Sequence, residues 1–435
     1  MKIYCSGIGG IGLSAYASLQ KEMGNEVLGS DRHQTPLTQE LEAHGIQVVF
    51  NQDGSQVPDD CDLFVFTEAI PISAPERLRA SELGIVQMSY PEALSKLTDS
   101  YTVIAVCGTH GKSSTTAMAA RLLIETGRDP TVVVGTKMTE LGGRNWRRGD
   151  SSLFLIEACE YRKSFHFYNP QIIIMTNCDG DHFDYYKSLE LYQESFVDFL
   201  KRLPQSGTVI THLQDADCDK VARASDRDII DADQFPLIDL QTPGLHMKQN
   251  AQLALALAEK LTISQEDAIA ALAPFAGTWR RMEQKGYYRD DVLVIDDYAH
   301  HPKEIRATLN ALRSRYPKRR IVCVYQPHTH NRTIELYSQF TESFTDADLV
   351  LVTNVYDARS DTETETVDMP KFVEDIAKNS NMTALTGGTL AAAKHVLETS
   401  VIQPEDILIF MGAGDITDLA GEFAIRTAMA SRESE

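Results

Sequence analysis

The chain has 435 residues, of which 43% are hydrophobic and 24% charged, so its length allows about three globular domains. Asp and Glu number 62 against 41 Lys and Arg, and the net charge of −21 argues against a nucleic-acid or anionic-membrane binder. No apolar run approaches the roughly 18 residues that span a bilayer, and the scattered cysteines include no C-x-x-C pair. We expect a reduced, cytoplasmic protein without membrane insertion.

Short apolar runs alternate with helical patterns along the chain. Runs of this kind are typical of strands covered on both faces, and their alternation with helices predicts parallel α/β sheets. The predicted strands are Lys2–Ser6, Glu26–Ser30, Leu63–Thr67, Thr102–Cys107, Leu153–Glu157, Ile172–Thr176, Val209–Thr211, Val292–Asp296, Ile321–Tyr325, Leu349–Thr353 and Ile407–Met411. Polar stretches near Thr98–Ser100 and Gln284–Asp291 predict three domains, at 1–98, 99–284 and 285–435.

A glycine-rich loop follows the first predicted strand. Gly7, Gly9, Gly10 and Gly12 precede a helical pattern, and Asp31 ends the next predicted strand. Glycines permit close approach of a diphosphate, the helix N-terminus supplies amides, and the acid lies where such folds bind a ribose. The alternative is a tight strand–helix turn without a ligand. The pattern does not distinguish NAD from another diphosphate-bearing nucleotide.

A second glycine loop follows Thr102–Cys107 and precedes a predicted helix, Thr115–Thr126. Its residues are Gly108, Thr109, His110, Gly111, Lys112, Ser113 and Ser114. Strand, glycine loop, Gly-Lys-Ser and helix predict a P-loop, although Val106 stands where the full pattern has glycine. Backbone amides would then hold the phosphates of ATP, Lys112 would contact the β- and γ-oxygens, and a hydroxyl would bind Mg²⁺.

Acidic residues follow two further predicted strands of this domain. Glu157 ends Leu153–Glu157, and His182 stands among three aspartates after Ile172–Thr176. Side chains at the carboxyl ends of parallel strands face the ligand crevice, and carboxylates are suited to Mg²⁺. The sequence therefore predicts a magnesium site beside the P-loop.

These motifs resemble those of the Mur ligases, ATP-dependent amide-forming enzymes of peptidoglycan precursor synthesis. The matching segments, in the family's order, are Gly7–Gly12, Gly108–Ser114, Glu157–Tyr161, Thr176–Asp184, Leu245–Ala251, Gly277–Arg281, Asp296–Pro302, Gln326–Thr333 and Gly412–Asp415. The resemblance implies a Rossmann-like N-terminal domain that binds the UDP-sugar and a central P-loop ATPase-like parallel sheet with flanking helices. A Rossmann-like C-terminal domain would bind the amino acid and close over both.

The resemblance also implies roles for residues of the first two domains. Gly7–Gly12 would hold the UDP diphosphate and Asp31 the nucleoside end, which displaces the NAD interpretation. Lys112 would stabilise the β/γ-phosphates of ATP. The metal ligands would be Ser113 and Glu157 for one Mg²⁺ and His182 for a second, and Asn250 would contact adenine.

In the C-terminal region the resemblance implies three further catalytic residues. Arg281 or Arg280 would reach the phosphates, and His300 would orient the transferring phosphate or the amino acid. Arg332 would bind a carboxylate, because a guanidinium grips a carboxylate in two places.

Three positions depart from the family pattern. Met247 replaces a second asparagine of the adenine motif, and Cys159 replaces an aspartate beside Glu157. Phe196 stands where other Mur ligases carry a carbamylated lysine, so we expect none here. The alanine-adding branch of the family likewise lacks that lysine.

The implied activity joins L-alanine to the lactyl carboxylate of UDP-N-acetylmuramate through an acyl phosphate, with ATP and two Mg²⁺ ions, in a monomer or weak homodimer. The motif Gln326-Pro327-His328-x3-Arg332 favours this branch, whereas Tyr161 is similar to the branch that recycles a murein tripeptide. An NAD-dependent oxidoreductase and a P-loop switch protein are the alternatives outside the family.

Overall fold

The computed structural model describes residues 1–289, 291–356 and 365–424. The chain forms two compact units, the first made of Met1–Asp239 and Gln249–Pro274, the second of Leu240–Lys248 and the residues from Phe275 onward. Two sheets belong to the first unit and one to the second, and all three are built mainly from parallel strands. The predicted α/β class is confirmed, while the three predicted domain boundaries stay a prediction.

The N-terminal sheet consists of five parallel strands in the order β3-β2-β1-β4-β5. The strands are β1 (Lys2–Ser6), β2 (Glu26–Ser30), β3 (Gln47–Val49), β4 (Leu63–Phe66) and β5 (Val86–Ser89). The helices are α1 (Ile11–Glu22), α2 (Pro36–Ala43), α3 (Pro75–Glu82) and α4 (Tyr90–Thr98). The strand order reverses at β1, and the crevice of such a fold opens at the carboxyl end of that strand, where the first glycine loop begins.

The central sheet has seven strands in the order β12-β11-β10-β6-β9-β7-β8, of which only the β7–β8 pair is antiparallel among the described residues. The strands are β6 (Thr102–Cys107), β7 (Thr131–Met138), β8 (Arg144–Arg147), β9 (Leu153–Glu157), β10 (Ile172–Met175), β11 (Thr208–Thr211) and β12 (Asp228–Asp231). The helices are α5 (Lys112–Glu125), α6 (Phe183–Tyr186), α7 (Leu189–Leu200), α8 (Ala216–Ala224), α9 (Leu245–Lys260) and α10 (Gln265–Leu272).

The register of the central sheet brings its polar strand ends together. β6 lies between β9 and β10, with Val106 opposite Glu157 and Cys107 opposite Met175. The P-loop therefore leaves the sheet between the two acidic segments that the sequence analysis singled out.

The third sheet has six strands in the order β13-β14-β18-β15-β16-β17, with β13 antiparallel to β14. The strands are β13 (Glu283–Tyr288), β14 (Val292–Asp297), β15 (Ile321–Tyr325), β16 (Leu349–Thr353), β17 (Thr383–Gly388) and β18 (Ile407–Met411). The helices are α11 (Pro302–Arg315), α12 (His330–Glu335), α13 (Tyr337–Thr341), α14 (Met369–Asn379), α15 (Leu390–Val396) and α16 (Ile416–Phe423).

The predicted strands are confirmed with small shifts at their ends, and one predicted helix start is wrong. The helix α5 begins at Lys112 rather than at Thr115. Gly111 caps it with φ +79°, and its carbonyl accepts the Thr115 amide, so the Lys-Ser-Ser segment forms the first turn. Across the described ranges, the helices lack the combination of length and hydrophobicity that crossing a membrane would need.

Candidate active site

The first glycine loop is closed by its own aspartate. The amides of Gly7 and Ile8 both donate to the Ser30 carbonyl at 2.9 Å, which fixes the loop on the end of β2. The Asp31 carboxylate accepts the Gly9 amide at 2.7 Å. Gly7 has φ +81°, and a Cβ there would collide with the Thr67 methyl group. The structure thus brings together the loop and the acid that the sequence predicts, with the acid bound to the loop backbone.

The shape of the second loop is imposed by two residues that follow β10. The Asn177 side chain accepts the His110 amide at 2.8 Å, and the Thr176 hydroxyl donates to the His110 carbonyl at 2.6 Å. Gly108 has φ +142°, and a Cβ there would collide with the Thr176 hydroxyl. The sequence analysis did not select these two residues, although both stand in the Thr176–Asp184 motif.

The Lys112 side chain is folded onto the loop and onto a buried carboxylate. Its ammonium donates to the Gly108 carbonyl at 2.6 Å and lies 2.9 Å from Oε2 of Glu160. Burial is the largest single influence and would lower the pKa of Lys112, but the neighbouring groups, of which Glu160 contributes most, together outweigh it and raise the pKa. Burial conversely favours a higher pKa for Glu160, but Lys112 and His182 hold it below its ordinary value. A residue that the sequence analysis missed therefore balances the P-loop lysine.

Ser113 and Glu157 lie in contact, as their predicted roles require. The Ser113 hydroxyl donates to Oε1 of Glu157 at 2.9 Å, and the Gly135 amide donates to Oε2 at 2.7 Å. A hydroxyl and a carboxylate are hard oxygen donors, which fits Mg²⁺. Within the part of the chain that the structure describes, no group of three or more His, Cys, Asp and Glu side chains forms a cage for a metal. Mg²⁺ usually keeps several water molecules and phosphate oxygens as ligands.

His182 faces the same buried carboxylate as Lys112. Its Nε2 lies 3.5 Å from Oε1 of Glu160, and its ring centroid lies 4.6 Å from that of Tyr161. The backbone of His182 is left-handed, with φ 55°. The predicted second-ion position thus contains one imidazole beside one buried carboxylate, which is a suitable donor set for one side of an ion.

Asn250 packs against the P-loop. Its side-chain oxygen would lie 2.9 Å from a Cβ on Gly111, and the residue is buried within α9. Met247, the departure from the family motif, is also buried. The adenine role of Asn250 stays a prediction.

The structure distinguishes the two neighbouring arginines of the second unit. Arg280 is buried, and its guanidinium donates to the carbonyls of Gly412 and Gly414 at 2.6 and 2.9 Å. It therefore anchors the Gly412–Asp415 loop. Arg281 is more exposed, and its guanidinium carbon lies 5.0 Å from the centre of the Tyr298 ring. The role of Arg281 toward a ligand stays a prediction.

His300 lies in a partly buried cluster with His328 and Arg332. Its Nδ1 lies 2.9 Å from the Tyr298 carbonyl, and its ring is 5.8 Å from that of His328. The guanidinium of Arg332 lies 3.3 Å from Nδ1 of His328. Burial lowers the pKa of His300 to about 3, although Glu304 opposes the shift. Because a carbonyl only accepts, Nδ1 carries the proton, which leaves Nε2 of a neutral ring as an acceptor.

Asp297 organises this region through its backbone contacts. Its carboxylate accepts the amides of Met282 and Ala299 at 2.7 and 2.8 Å. Burial raises its pKa to about 6, against the opposing charge of Arg281. Asp297 thus fixes the segments that carry Arg281 and His300.

A cavity of about 290 Å³ opens at the carboxyl ends of strands β15 to β18, and the sequence analysis did not find it. Its lining residues are Gln326, Thr353, Asn354, Val355, Tyr356, Gly388, Thr389, Leu390 and Asp415. The Gln326 amide donates to Asp415 at 2.7 Å, and the Tyr356 ring lies 5.9 Å from that of His328. The cavity is thereby joined to the cluster of His300 and Arg332. The feature of the sequence that could have indicated this cavity is the set of polar residues that directly follow the predicted strands.

Comparisons with known proteins match this arrangement along nearly the whole chain. A model of the Mur ligase family catalytic domain matches residues 2–102, one of the Mur ligase middle domain 106–234, and one of the Mur ligase glutamate ligase domain 280–414. The UDP-N-acetylmuramate–L-alanine ligase of Clostridium kluyveri is 35% identical over 95% of this chain and 96% of its own length. That of Lachnospira eligens is 36% identical over the same shares.

Solved structures show the same fold. A UDP-N-acetylmuramate–alanine ligase of Thermotoga maritima superposes with a TM-score of 0.81 at 27% identity, covering 97% of this chain and 98% of its own. A murein peptide ligase of Psychrobacter arcticus superposes with a TM-score of 0.71 at 23% identity, covering 98% of this chain and 100% of its own.

Proposed function

The chain belongs to the Mur ligase family, and from this premise we propose that it joins L-alanine to the lactyl carboxylate of UDP-N-acetylmuramate at the expense of ATP. The product is a precursor of peptidoglycan. The observation that carries the proposal is the match to alanine-adding ligases over 95% of the chain. ATP and sugar nucleotides are metabolites of the cytoplasm, where we place the reaction, in a monomer or weak homodimer.

The reaction must first activate a carboxylate, which is a poor acyl donor. A carboxylate oxygen attacks the γ-phosphorus of ATP, so that ADP leaves and an acyl phosphate forms. The amine of alanine then attacks the acyl carbon, loses a proton, and expels inorganic phosphate from the tetrahedral intermediate. The protein has to neutralise clustered anions, align the reacting groups and exclude water from the acyl phosphate.

The first unit supplies the residues that act on phosphate. Lys112 neutralises the β- and γ-oxygens of ATP as its ammonium leaves Glu160. Ser113 and Glu157 would hold one Mg²⁺, and His182 with Glu160 would hold a second. Bound Mg²⁺ supplies positive charge to the phosphoryl group during its transfer. The contact of Ser113 with Glu157 at 2.9 Å supports the first assignment, and the 3.5 Å approach of His182 to Glu160 supports the second.

The nucleotides are held by backbone more than by side chains. Gly108, Thr109, His110, Gly111 and Ser114 surround the phosphates of ATP, and Asn250 beside Gly111 contacts the adenosine end. Gly7, Gly9, Gly10 and Gly12 receive the UDP diphosphate at the start of α1, where backbone amides favour anions. Asp31, which orders this loop, faces the nucleoside.

The second unit supplies the residues that act on the amine and the acid. Arg281 stabilises the transferring phosphoryl group, and Arg332 binds a carboxylate through its planar guanidinium. A neutral His300 accepts a hydrogen bond from the alanine amine through Nε2, which suits orientation of a nucleophile better than binding of a phosphate. The 290 Å³ cavity beside Tyr356 receives the amino acid.

One assay tests the proposal and separates it from the tripeptide-recycling alternative. UDP-N-acetylmuramate, ATP and Mg²⁺ are supplied with alanine, serine, glycine or murein tripeptide, and ADP release is measured. We expect release that depends on alanine. Release only with the tripeptide would assign the recycling activity instead, and no release with any amine would contradict both ligase functions.

A further inference from the structure

Two consecutive basic residues after Glu160 have left-handed backbones. Arg162 has φ 52° and ψ 27°, and Lys163 has φ 59° and ψ 26°. Residues with a Cβ adopt this conformation at an energetic cost, so neighbouring contacts must hold it. The amide of Lys163 donates to the Glu160 carbonyl and that of Phe165 to the Cys159 carbonyl, both at 2.9 Å. The kink is thus fixed to the backbone that carries Glu160.

The Arg162 side chain contacts residues near both parts of the site in the first unit. Its Nη1 lies 3.7 Å from Oε2 of Glu68, and its guanidinium carbon lies 5.4 Å from the centre of the Tyr161 ring. That ring lies 4.6 Å from the ring of His182. Glu68 directly follows Thr67, whose methyl group packs on Gly7 of the first glycine loop. Arg162 is therefore linked through Glu68 and Thr67 to the first glycine loop and through Tyr161 to His182.

The proposed substrate has to reach from one of these groups to the other. Its diphosphate binds at the first glycine loop and its lactyl carboxylate reacts beside the P-loop, and Arg162 is a cation whose contacts connect the two loops. A guanidinium grips a carboxylate in two places. The existing pair with Glu68 is half exposed on both sides, at 49% and 43%, and such pairs are weak enough for a substrate carboxylate to replace.

We propose that Arg162 binds the lactyl carboxylate of the sugar nucleotide and holds it toward the phosphoryl group that it receives. Glu68 keeps the guanidinium in place until the substrate arrives. The inference rests on the proposed function, because its ligand is the acid substrate of that reaction.

Lys163 provides a matched control within the same kink. It has the same charge and the same backbone conformation as Arg162, but its charge acts on His166. Burial is the main cause of the lowered pKa of His166, and Lys163 adds to it. Substituting either residue by alanine removes one positive charge at a left-handed position, so K163A controls for the loss of a charge from this kink.

Binding of two sugar nucleotides tests the proposal. UDP-N-acetylmuramate carries the lactyl carboxylate, and UDP-N-acetylglucosamine lacks it. For R162A we expect affinity for the first to fall about ten- to a hundredfold, with affinity for the second unchanged. K163A should bind both as wild type does, and R162K should recover part of the loss. In turnover, R162A should raise KM for the sugar nucleotide and leave KM for ATP unchanged.

Other outcomes overturn the proposal. An equal loss of affinity for both ligands would show that Arg162 binds the diphosphate instead. Unchanged affinity for both would show that Arg162 has only a structural role, through its contacts with Glu68 and Tyr161. Glu68→Gln should bind UDP-N-acetylmuramate at least as tightly as wild type, and a large loss would assign the recognition to Glu68. If wild type is active with alanine while R162A binds normally, only this inference fails; a wild type inactive with every amine ends the proposed function itself.

Discussion

Each of the two glycine loops of the first unit is held by a charged side chain, and the two side chains have opposite charges. In the first loop, the carboxylate of Asp31 accepts a hydrogen bond from the Gly9 amide at 2.7 Å and orders the loop. In the second loop, the ammonium of Lys112 donates a hydrogen bond to the Gly108 carbonyl at 2.6 Å, and the Glu160 carboxylate neutralises its charge. Each loop is thus held by an internal partner before a nucleotide arrives.

The two charged partners, Asp31 and Glu160, come from different places in the chain and differ in their contacts and burial. Asp31 follows the strand next to the first loop, and it contacts backbone. Glu160 follows the neighbouring strand β9 by three residues and is 1% exposed, so its ion pair with Lys112 is largely buried. A buried carboxylate that loses its partner is costly, whereas a partly exposed one is solvated by water. We therefore expect substitutions at the second loop to have the larger effects.

The largest effect is expected for Lys112→Ala. Loss of the ammonium should lower kcat by about 10²- to 10³-fold, because it removes charge stabilisation of the transferred phosphoryl group. The variant should stay folded, since His182 remains beside Glu160. ADP release and circular dichroism measure the two effects, with K394A, a surface lysine paired with Glu422, as the control. Near-native activity in a folded K112A would refute the P-loop assignment.

Glu160→Gln should separate the contribution of Glu160 to stability from its competition with nucleotide phosphates for Lys112. The amide leaves Lys112 without its counter-charge, so we expect a loss of about 3 kcal/mol in unfolding free energy. ADP phosphates would then replace the missing charge, so ADP should bind more tightly to the variant than to wild type without Mg²⁺. Calorimetric titration of both proteins measures this. Weaker ADP binding in a folded variant would show that Glu160 does not compete for the lysine.

Asp31→Asn should have a smaller effect, confined to the first loop. The amide oxygen can still accept the Gly9 amide, but the charge-assisted part of that hydrogen bond is lost, about 1 kcal/mol. We expect UDP to bind several-fold more weakly and ADP to bind unchanged. Competition titrations with both nucleotides measure the difference. A matching loss for ADP would indicate a general loss of structure.

A pH-dependent effect on stability is expected in the second unit. Folding lowers the pKa of His300 to about 3 from the ordinary 6.5. As the pH falls, the imidazole of the unfolded chain is therefore protonated at a higher pH than that of the folded chain. The stability that neutral His300 contributes is complete above about pH 6.5 and falls by up to about 1.4 kcal/mol per pH unit below it. His300→Gln should flatten this slope in urea unfolding at pH 7, 6 and 5. Identical slopes for the two proteins would contradict the buried, neutral histidine.

Continuous apolar runs were enough to predict eleven strands to within one residue at each end, whereas β3, β5, β7, β8, β12, β13 and β17 were not predicted. β1, β6, β9, β15 and β18 have the predicted bounds, because their continuous apolar runs stop at glycine or polar residues. The start of α5 was predicted too late, because the left-handed cap at Gly111 lets lysine and serine form the first turn.

Partners across the sheet could not be predicted in the same way. Glu160, Asn177 and Gln326 each hold a site residue or a loop, and each comes from a strand end that is distant in the chain. Their contacts depend on the strand order, β10-β6-β9 in the central sheet and β18-β15-β16 in the third. Alternation of strands and helices predicts parallel sheets but leaves that order open. The choice of Arg281 over Arg280 likewise required the contacts of Arg280 with the Gly412–Asp415 loop.

Isotope transfer tests the central claim most directly. UDP-N-acetylmuramate labelled with ¹⁸O in both lactyl carboxylate oxygens is turned over with ATP and alanine, and the released inorganic phosphate is analysed by mass spectrometry. Activation through an acyl phosphate predicts one ¹⁸O atom in each phosphate and one in the amide product. Unlabelled phosphate in a reaction that forms the amide would contradict the mechanism.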